Sequence, residues 1–172
     1  MISIRALRRQ DDRARFESGD EDLDRFLRKY AGQNQFAHHI GTTYVAVEEE
    51  RIVGFATVAP GALLRDGIPE AEARRLPRYP LPVLRFARLA VDRSQHGRGI
   101  AAALVRHVFF LAIEMSRDLG CLGVVVDARP RAIEFYRKLG FAPLGPLEGQ
   151  LVGVPEPAPM FFHVDTIRLA AE

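Results

Sequence analysis

"SQHGRGIAAALVRHVFFLAI", Ser94–Ile113, sets two glycines, Gly97 and Gly99, directly ahead of a helical pattern. Ile100, Leu104, Val108, Leu111 and Met115 recur at helical spacing, which predicts a helix of about five turns with these residues as its buried stripe. Upstream, "VLRFARLAVD" reads as a strand ending at Asp92, so the glycines lie in a strand-to-helix turn. Glycines let backbone N–H groups come close to a phosphate, and a helix N-terminus adds unpaired donors and partial positive charge. The turn therefore suits a ligand carrying a pyrophosphate, with Arg98 between the glycines as added charge. A plain turn could be built from the same residues, so the rest of the chain has to decide.

Two nucleotide motifs compete for this turn. Gly97, Gly99 and Ala102 satisfy the dinucleotide pattern G-x-G-x-x-[GA], and Asp127 ends the next strand where a ribose-binding acid stands. Position excludes that reading. A doubly wound domain opens with its fingerprint at the first strand, whereas here more than half the chain precedes it and only 45 residues follow Asp127. A Walker loop fails too, since no Lys-Ser or Lys-Thr follows the glycines.

Working outward, "ISIRAL" alternates with period two and reads as a first strand. Ser18 and Glu21 have capping-box spacing ahead of a helix whose inner face is Leu23, Phe26, Leu27, Tyr30 and Ala31, with Asp24, Arg25, Arg28 and Lys29 outside. "TTYVAVEEERIVGFATV" reads as an antiparallel hairpin turning at Glu49 and Glu50, so the sheet is mixed. From Pro60 to Pro82 an irregular stretch is expected, holding a short helix opened by Pro69, and such a loop beside a sheet is a common place for substrate contacts. "LGVVVDA" is a strand covered on both faces, and "PRAIEFYRKLGF" a helix opened by Pro130 and closed by Gly140. A Pro/Gly loop from Pro143 to Pro159 and a last strand, "MFFHVDTI", complete the pattern.

The 172 residues suit one domain, 1–172, with a full core. "MISIRALRRQDD" has no apolar run of signal-peptide length and no later stretch approaches a membrane span, so a cytoplasmic protein with no membrane association is expected. Cys121, the sole cysteine, is expected in the core with no chemical role. The net charge of +2 conceals a cluster: between Arg74 and Arg98 stand seven arginines and one acid, Asp92. That asymmetry points to an anionic partner.

The order of these elements resembles the GNAT acetyltransferases, whose pattern [RQ]-x-x-G-x-[GA] follows the fourth strand. Here His96-Gly97-Arg98-Gly99-Ile100-Ala101 fills it, with His96 where the family has Arg or Gln. The family's second hallmark, F-Y-x-x-x-G-F on a late helix, matches Phe135, Tyr136, Gly140 and Phe141. The resemblance narrows to the TacT-type toxins of toxin–antitoxin modules on "FESGDEDLDRFLRKYAGQNQ", "LPRYPLPVLRFARLAVD" and "MFFHVDTI".

The resemblance implies an α/β GNAT fold with a mixed sheet of six to seven strands flanked by about four helices. It implies acetyl-CoA as co-substrate, bound by the turn from His96 to Ala101 and by the strand at Leu89, Ala90 and Val91, which also offers an oxyanion-stabilising N–H; Ala132 would line the cofactor tail. It implies Tyr136 as the acid that protonates the departing thiolate. It further implies an aminoacyl-tRNA acceptor, a ribbon-helix-helix antitoxin and a homodimer. Arg74, Arg75, Arg78, Arg85 and Arg88 could meet acceptor-stem phosphates, contacts that position without reading sequence.

No general base stands out: His38, His39, His107 and His163 read as surface or core histidines, and Glu48 has no evident partner. No metal site is expected. An α-amino group titrates near ~8 and a lysine near ~10, so the missing base favours aminoacyl-tRNA over lysine or polyamine. Two rival readings stay open: acetylation of a small amine or a protein N-terminus, and a non-catalytic module that binds acyl-CoA or an antitoxin.

Overall fold

The computed structural model describes residues 1–65, 68, 70–144 and 158–171. Pro69 and most of the expected loop between Pro143 and Pro159 lie outside the described residues. Seven strands, β1 Ser3–Ala6, β2 Thr42–Glu48, β3 Arg51–Leu63, β4 Leu81–Val91, β5 Gly123–Ala128, β6 Ala142–Pro143 and β7 Ala158–His163, form one mixed sheet in the order β1-β2-β3-β4-β5-β7-β6. The α-helices among the described residues are α1 Glu21–Arg25, α2 Glu70–Ala73, α3 Ile100–Asp118, α4 Ile133–Leu139 and α5 Val164–Ala171. None is long and apolar enough to cross a membrane. The chain divides into two compact units, Met1–Ala59 with Phe86–Phe110, and Pro60–Arg85 with Leu111–Glu172.

In the first unit β1, β2 and β3 pair antiparallel. The β2–β3 turn is at Glu49 and Glu50, as expected, and both take the left-handed conformation (φ 48° and 64°) that matches the twist of a two-residue hairpin. Phe55 of β3 anchors the core, with Phe16 edge-on at 5.4 Å and Phe26 stacked at 6.2 Å. Leu27, Ala31 and Val45 belong to the same cluster.

The first helix departs from expectation at both ends. Its N-cap is Asp20, whose side chain accepts from the N–H groups of Asp22 and Leu23, while the Ser18 hydroxyl donates to Asp24 at 2.6 Å. Asp24, expected on the outer face, is consequently buried. Beyond Arg25 the helix widens into π-helical segments, Phe26–Tyr30 and Gln33–His38. Each widened turn rotates later residues off a 3.6-residue stripe, so Ala31 is buried but Tyr30 is 48% exposed.

Strand β3 runs on through Pro60 to Leu63, where an irregular segment was expected. Its pairing with β2 ends at Val58, so the absent proline N–H removes no bond from that ladder. In α3 the buried residues are Ile100, Leu104, Val105, Val108 and Ala112, while Leu111 and Met115 are only half-buried. The core line keeps stepping by four residues where an i+3 step was expected.

In the second unit β7 lies between β5 and β6 and pairs antiparallel with both. The expected last strand stops at His163, which faces Gly123, the first residue of β5. Past that point no further residue of β5 offers pairing, and Val164 and Ile167 bury the inner side of α5 instead. Pro143 and Pro159, expected as loop ends, belong to β6 and β7. Cys121 is buried, as expected.

Candidate active site

The first unit carries the glycine turn. Strand β4 ends at Val91, a short 3-10 turn follows at Arg93–Gln95, and α3 begins at Ile100. Gly97 and Gly99 have φ of +82° and +75°, and a Cβ built on either would meet nothing within 4 Å. Glycine is needed there for backbone conformation, and the space in front of the backbone is open. The first N–H groups of α3 have no intrahelical partner, so the turn can present donors to an anion. The arrangement fits the pyrophosphate of a coenzyme A thioester.

Several side chains hold this turn. Asp92 is buried and accepts from the Ser94 hydroxyl at 2.7 Å, the Ser94 N–H at 3.0 Å and the Glu17 N–H at 3.2 Å. Burial alone would push its carboxyl up, but the Ser94 and Glu17 hydrogen bonds, with Arg51 at 3.4 Å, outweigh this and hold it below the usual carboxylate range. The sequence pattern did not single out this anchor; its local signal is an aspartate two residues before a serine at a strand end.

Arg98 forms a bidentate pair with Glu48 at 2.8 and 3.0 Å. Glu48 therefore has a partner after all, and Arg98's hydrogen bonds keep its carboxylate below the usual range, which makes it a poor base at neutral pH. His96 donates from Nε2 to the Val91 carbonyl at 3.2 Å, tying the turn to the end of β4. Gly54 also escaped the sequence pattern: a Cβ there would lie 2.9 Å from Ile100 Cγ2 and 3.2 Å from the Ala90 carbonyl oxygen. Its missing side chain lets the first turn of α3 sit against the sheet.

The other histidines offer no base. His107 is half-buried beside Tyr44, with ring centroids 4.6 Å apart; desolvation pushes its pKa down, and its buried Nε2 has no partner among the described residues. His39 caps the π-helical segment in the left-handed conformation, and His163 accepts the Asp165 N–H at 3.1 Å. Among the described residues no group of three or more His, Cys, Asp or Glu could hold a metal.

The second unit carries Ala132 and Tyr136. Pro130–Ala132 form a 3-10 turn, Ala132 precedes the first residue of α4, and Gly140 closes the helix at φ 109°. Tyr136 is buried, with Phe135 and Phe141 edge-on at 5.2 and 5.4 Å. Burial pushes its hydroxyl up to about 12, so it is a proton donor at neutral pH.

The arginine cluster separates. Arg74, Arg75 and Arg78 are exposed in the second unit, and Arg74 reaches Glu70 at 3.2 Å. Arg85 pairs with Asp127 at 2.7 Å, so the acid that could have been a ribose ligand has an arginine partner. Arg88 is in the first unit, with its guanidinium 3.7 Å from the Phe26 ring centre.

This fold and turn define an acyl-CoA-dependent transferase. Residues 39–143 match the family described as acetyltransferase (GNAT) domain. The chain is 32% identical over 148 residues to a tRNA-acetylating toxin of Mycobacterium tuberculosis, covering 83% of this chain and 86% of that protein. It resembles the solved structure of AtaT complexed with acetyl-methionyl-tRNAfMet (TM-score 0.84, 28% identity, 100% of both chains). It also resembles AtaTR bound with AcCoA (TM-score 0.79, 30% identity, 99% of this chain and 98% of that one). The chain belongs to the GNAT acetyltransferases and is an N-acetyltransferase whose co-substrate is acetyl-CoA.

Proposed function

We propose that the protein transfers the acetyl group of acetyl-CoA to the α-amino group of an aminoacyl-tRNA, and so acts as a translation-blocking toxin. The open, left-handed glycine turn ahead of α3 carries the reading, in a chain alike over most of its length to a tRNA-acetylating toxin. The AtaT–AtaR structures supply the analogy for an antitoxin partner. We take that partner to be of ribbon-helix-helix type, and the toxin to be a cytoplasmic homodimer.

Acetyl-CoA supplies an activated thioester. The amine attacks its carbonyl carbon, a C–N bond forms, and a backbone N–H among Leu89–Val91 meets the developing oxyanion. The C–S bond then breaks with its electron pair on sulfur, and Tyr136 gives that sulfur its proton. A thiol titrates near ~8.5, so transfer from a hydroxyl at about 12 is uphill unless the oxygen is resupplied. Tyr136 therefore takes the proton shed by the attacking amine as it releases its own, which balances the reaction without a separate base.

Incubation with total charged tRNA and labelled acetyl-CoA tests the reading. Label should appear on the amino nitrogen of the esterified amino acid. Label on free amines or protein N-termini, with none on tRNA, would replace it by the small-amine reading. Binding of acetyl-CoA with no transfer to any amine would make the protein a binding module.

A further inference from the structure

Tyr136 stands at the head of a chain of rings within the second unit. Its ring meets Phe141 edge-on at 5.4 Å and 72°, and Phe141 meets Phe162 of β7 edge-on at 5.4 Å and 78°. All three side chains are buried. Edge-on packing sets the positive rim of one ring against the negative face of the next, so the orientation of each ring depends on its neighbour.

The backbone makes the same connection. The Gly140 N–H donates to the Arg137 carbonyl and the Phe141 N–H to the Tyr136 carbonyl, both at 3.0 Å. This paired closure of a helix end brings the residue after the glycine onto the side chain five positions back, here Phe141 onto Tyr136. Gly140 serves Phe162 too. A Cβ there would lie 2.5 Å from Phe162 Cε2, so the bare backbone leaves the room in which the Phe162 ring sits. Phe162 is itself fixed by β7, where it stands opposite Val124 in a strand flanked on both sides.

A proton donor works only along the line its O–H can take, and a displacement of about 1 Å costs up to about 10²-fold in rate. We infer that Phe162 is a positioning residue for acetyl transfer: through Phe141 it fixes the ring of Tyr136, and with it the direction in which the hydroxyl presents its proton. The inference rests on the reading of Tyr136 as the acid. The same rings keep water from the hydroxyl, in keeping with its rise to about 12 through burial.

The test compares Phe162→Leu with Phe161→Leu. Phe161 is also buried and lies one residue away, but on the opposite face of β7, where it packs with Val83 and Val125. Both variants loosen the same strand, and only one breaks the chain of rings. Steady-state kinetics on the acceptor that wild type labels, and NMR of isotope-labelled tyrosine rings, read the effects. In Phe162→Leu, kcat should fall about tenfold or more with KM for acetyl-CoA unchanged. Tyr136, assigned by the signal lost in Tyr136→Phe, should titrate below its wild-type value of about 12, towards the ordinary ~10. Phe161→Leu should leave both near wild type. Thermal melting establishes which variants are folded, and Phe162→Met, which fills the space with a flexible chain, replaces the leucine variant if that one is unfolded. A folded Phe162 variant with wild-type kcat or an unmoved Tyr136 titration overturns the inference, as does an equal change in Phe161→Leu. Tyr136→Phe separates this from failure of the acid reading. Wild-type turnover in Tyr136→Phe removes the acid and the positioning role with it, whereas slow Tyr136→Phe beside fast Phe162→Leu removes the positioning role alone.

Discussion

The turn from Asp92 to Gly99 and the segment from Arg74 to Arg78 lie in one arginine-rich stretch of sequence but are built differently. The turn is tied from within its unit: Arg51 reaches Asp92, Arg93 pairs with Glu17 at 3.0 Å, and Arg98 is clamped by Glu48. Arg75 and Arg78 are exposed and have no ion-pair partner among the described residues. A cluster that reads as one electrostatic footprint thus contains arginines that organise a binding turn and arginines left facing water. Donors fixed by their partners suit a pyrophosphate that arrives in one pose, and exposed cations suit a nucleic-acid backbone met through its charge.

A variant that strikes the chemistry and spares both regions sets the scale. Tyr136→Phe keeps the ring contacts with Phe135 and Phe141, so acetyl-CoA affinity should hold while turnover falls about 10²-fold or more. Paired calorimetry and single-turnover rates check this. Unchanged turnover would remove Tyr136 from the mechanism.

The tied character of the turn is tested at Asp92. Its carboxyl is depressed in the folded protein, so the stability it contributes is present above its unfolded pKa, near ~3.9, and is lost as pH falls through the lower folded value. Asp92→Asn should cost about 2 kcal/mol at pH 7, the worth of hydrogen bonds to a charged group, and the difference should shrink below pH 4. Urea titrations across pH measure it. Equal stability at pH 7 would mean that the turn does not depend on this anchor.

Gly99 sharpens the same side of the comparison. Gly99→Val forces a branched residue into a left-handed conformation and fills the open space before the backbone. Acetyl-CoA affinity should fall at least about tenfold by calorimetry, with tRNA binding little changed. If affinity holds, the phosphates bind elsewhere.

The smallest effects belong to the exposed arginines. Changing Arg74, Arg75 and Arg78 to glutamate should lower the salt dependence of tRNA binding by about one unit of log–log slope for each phosphate no longer neutralised, and leave acetyl-CoA binding alone. A slope equal to that of wild type would show that these residues face another partner.

The sequence by itself determined what depends on near neighbours. Gly97 and Gly99 marked a turn between a strand and a helix, Gly140 closed α4, Pro130 opened the 3-10 turn that leads into it, period-two alternation marked β1 and a continuous apolar run marked β5, because these requirements act within a few residues. Tertiary structure decided the rest. Glu48 and Arg98 are 50 residues apart, and Gly54 matters only because α3 lies across it. The π-helical turns after Arg25 and the helix at Val164–Ala171 likewise answer to packing and to where a partner strand ends, which no local pattern records. The seven clustered arginines were visible as charge, but which of them are spent on Glu48, Asp127 or Phe26 is set by partners that the chain brings together only when folded.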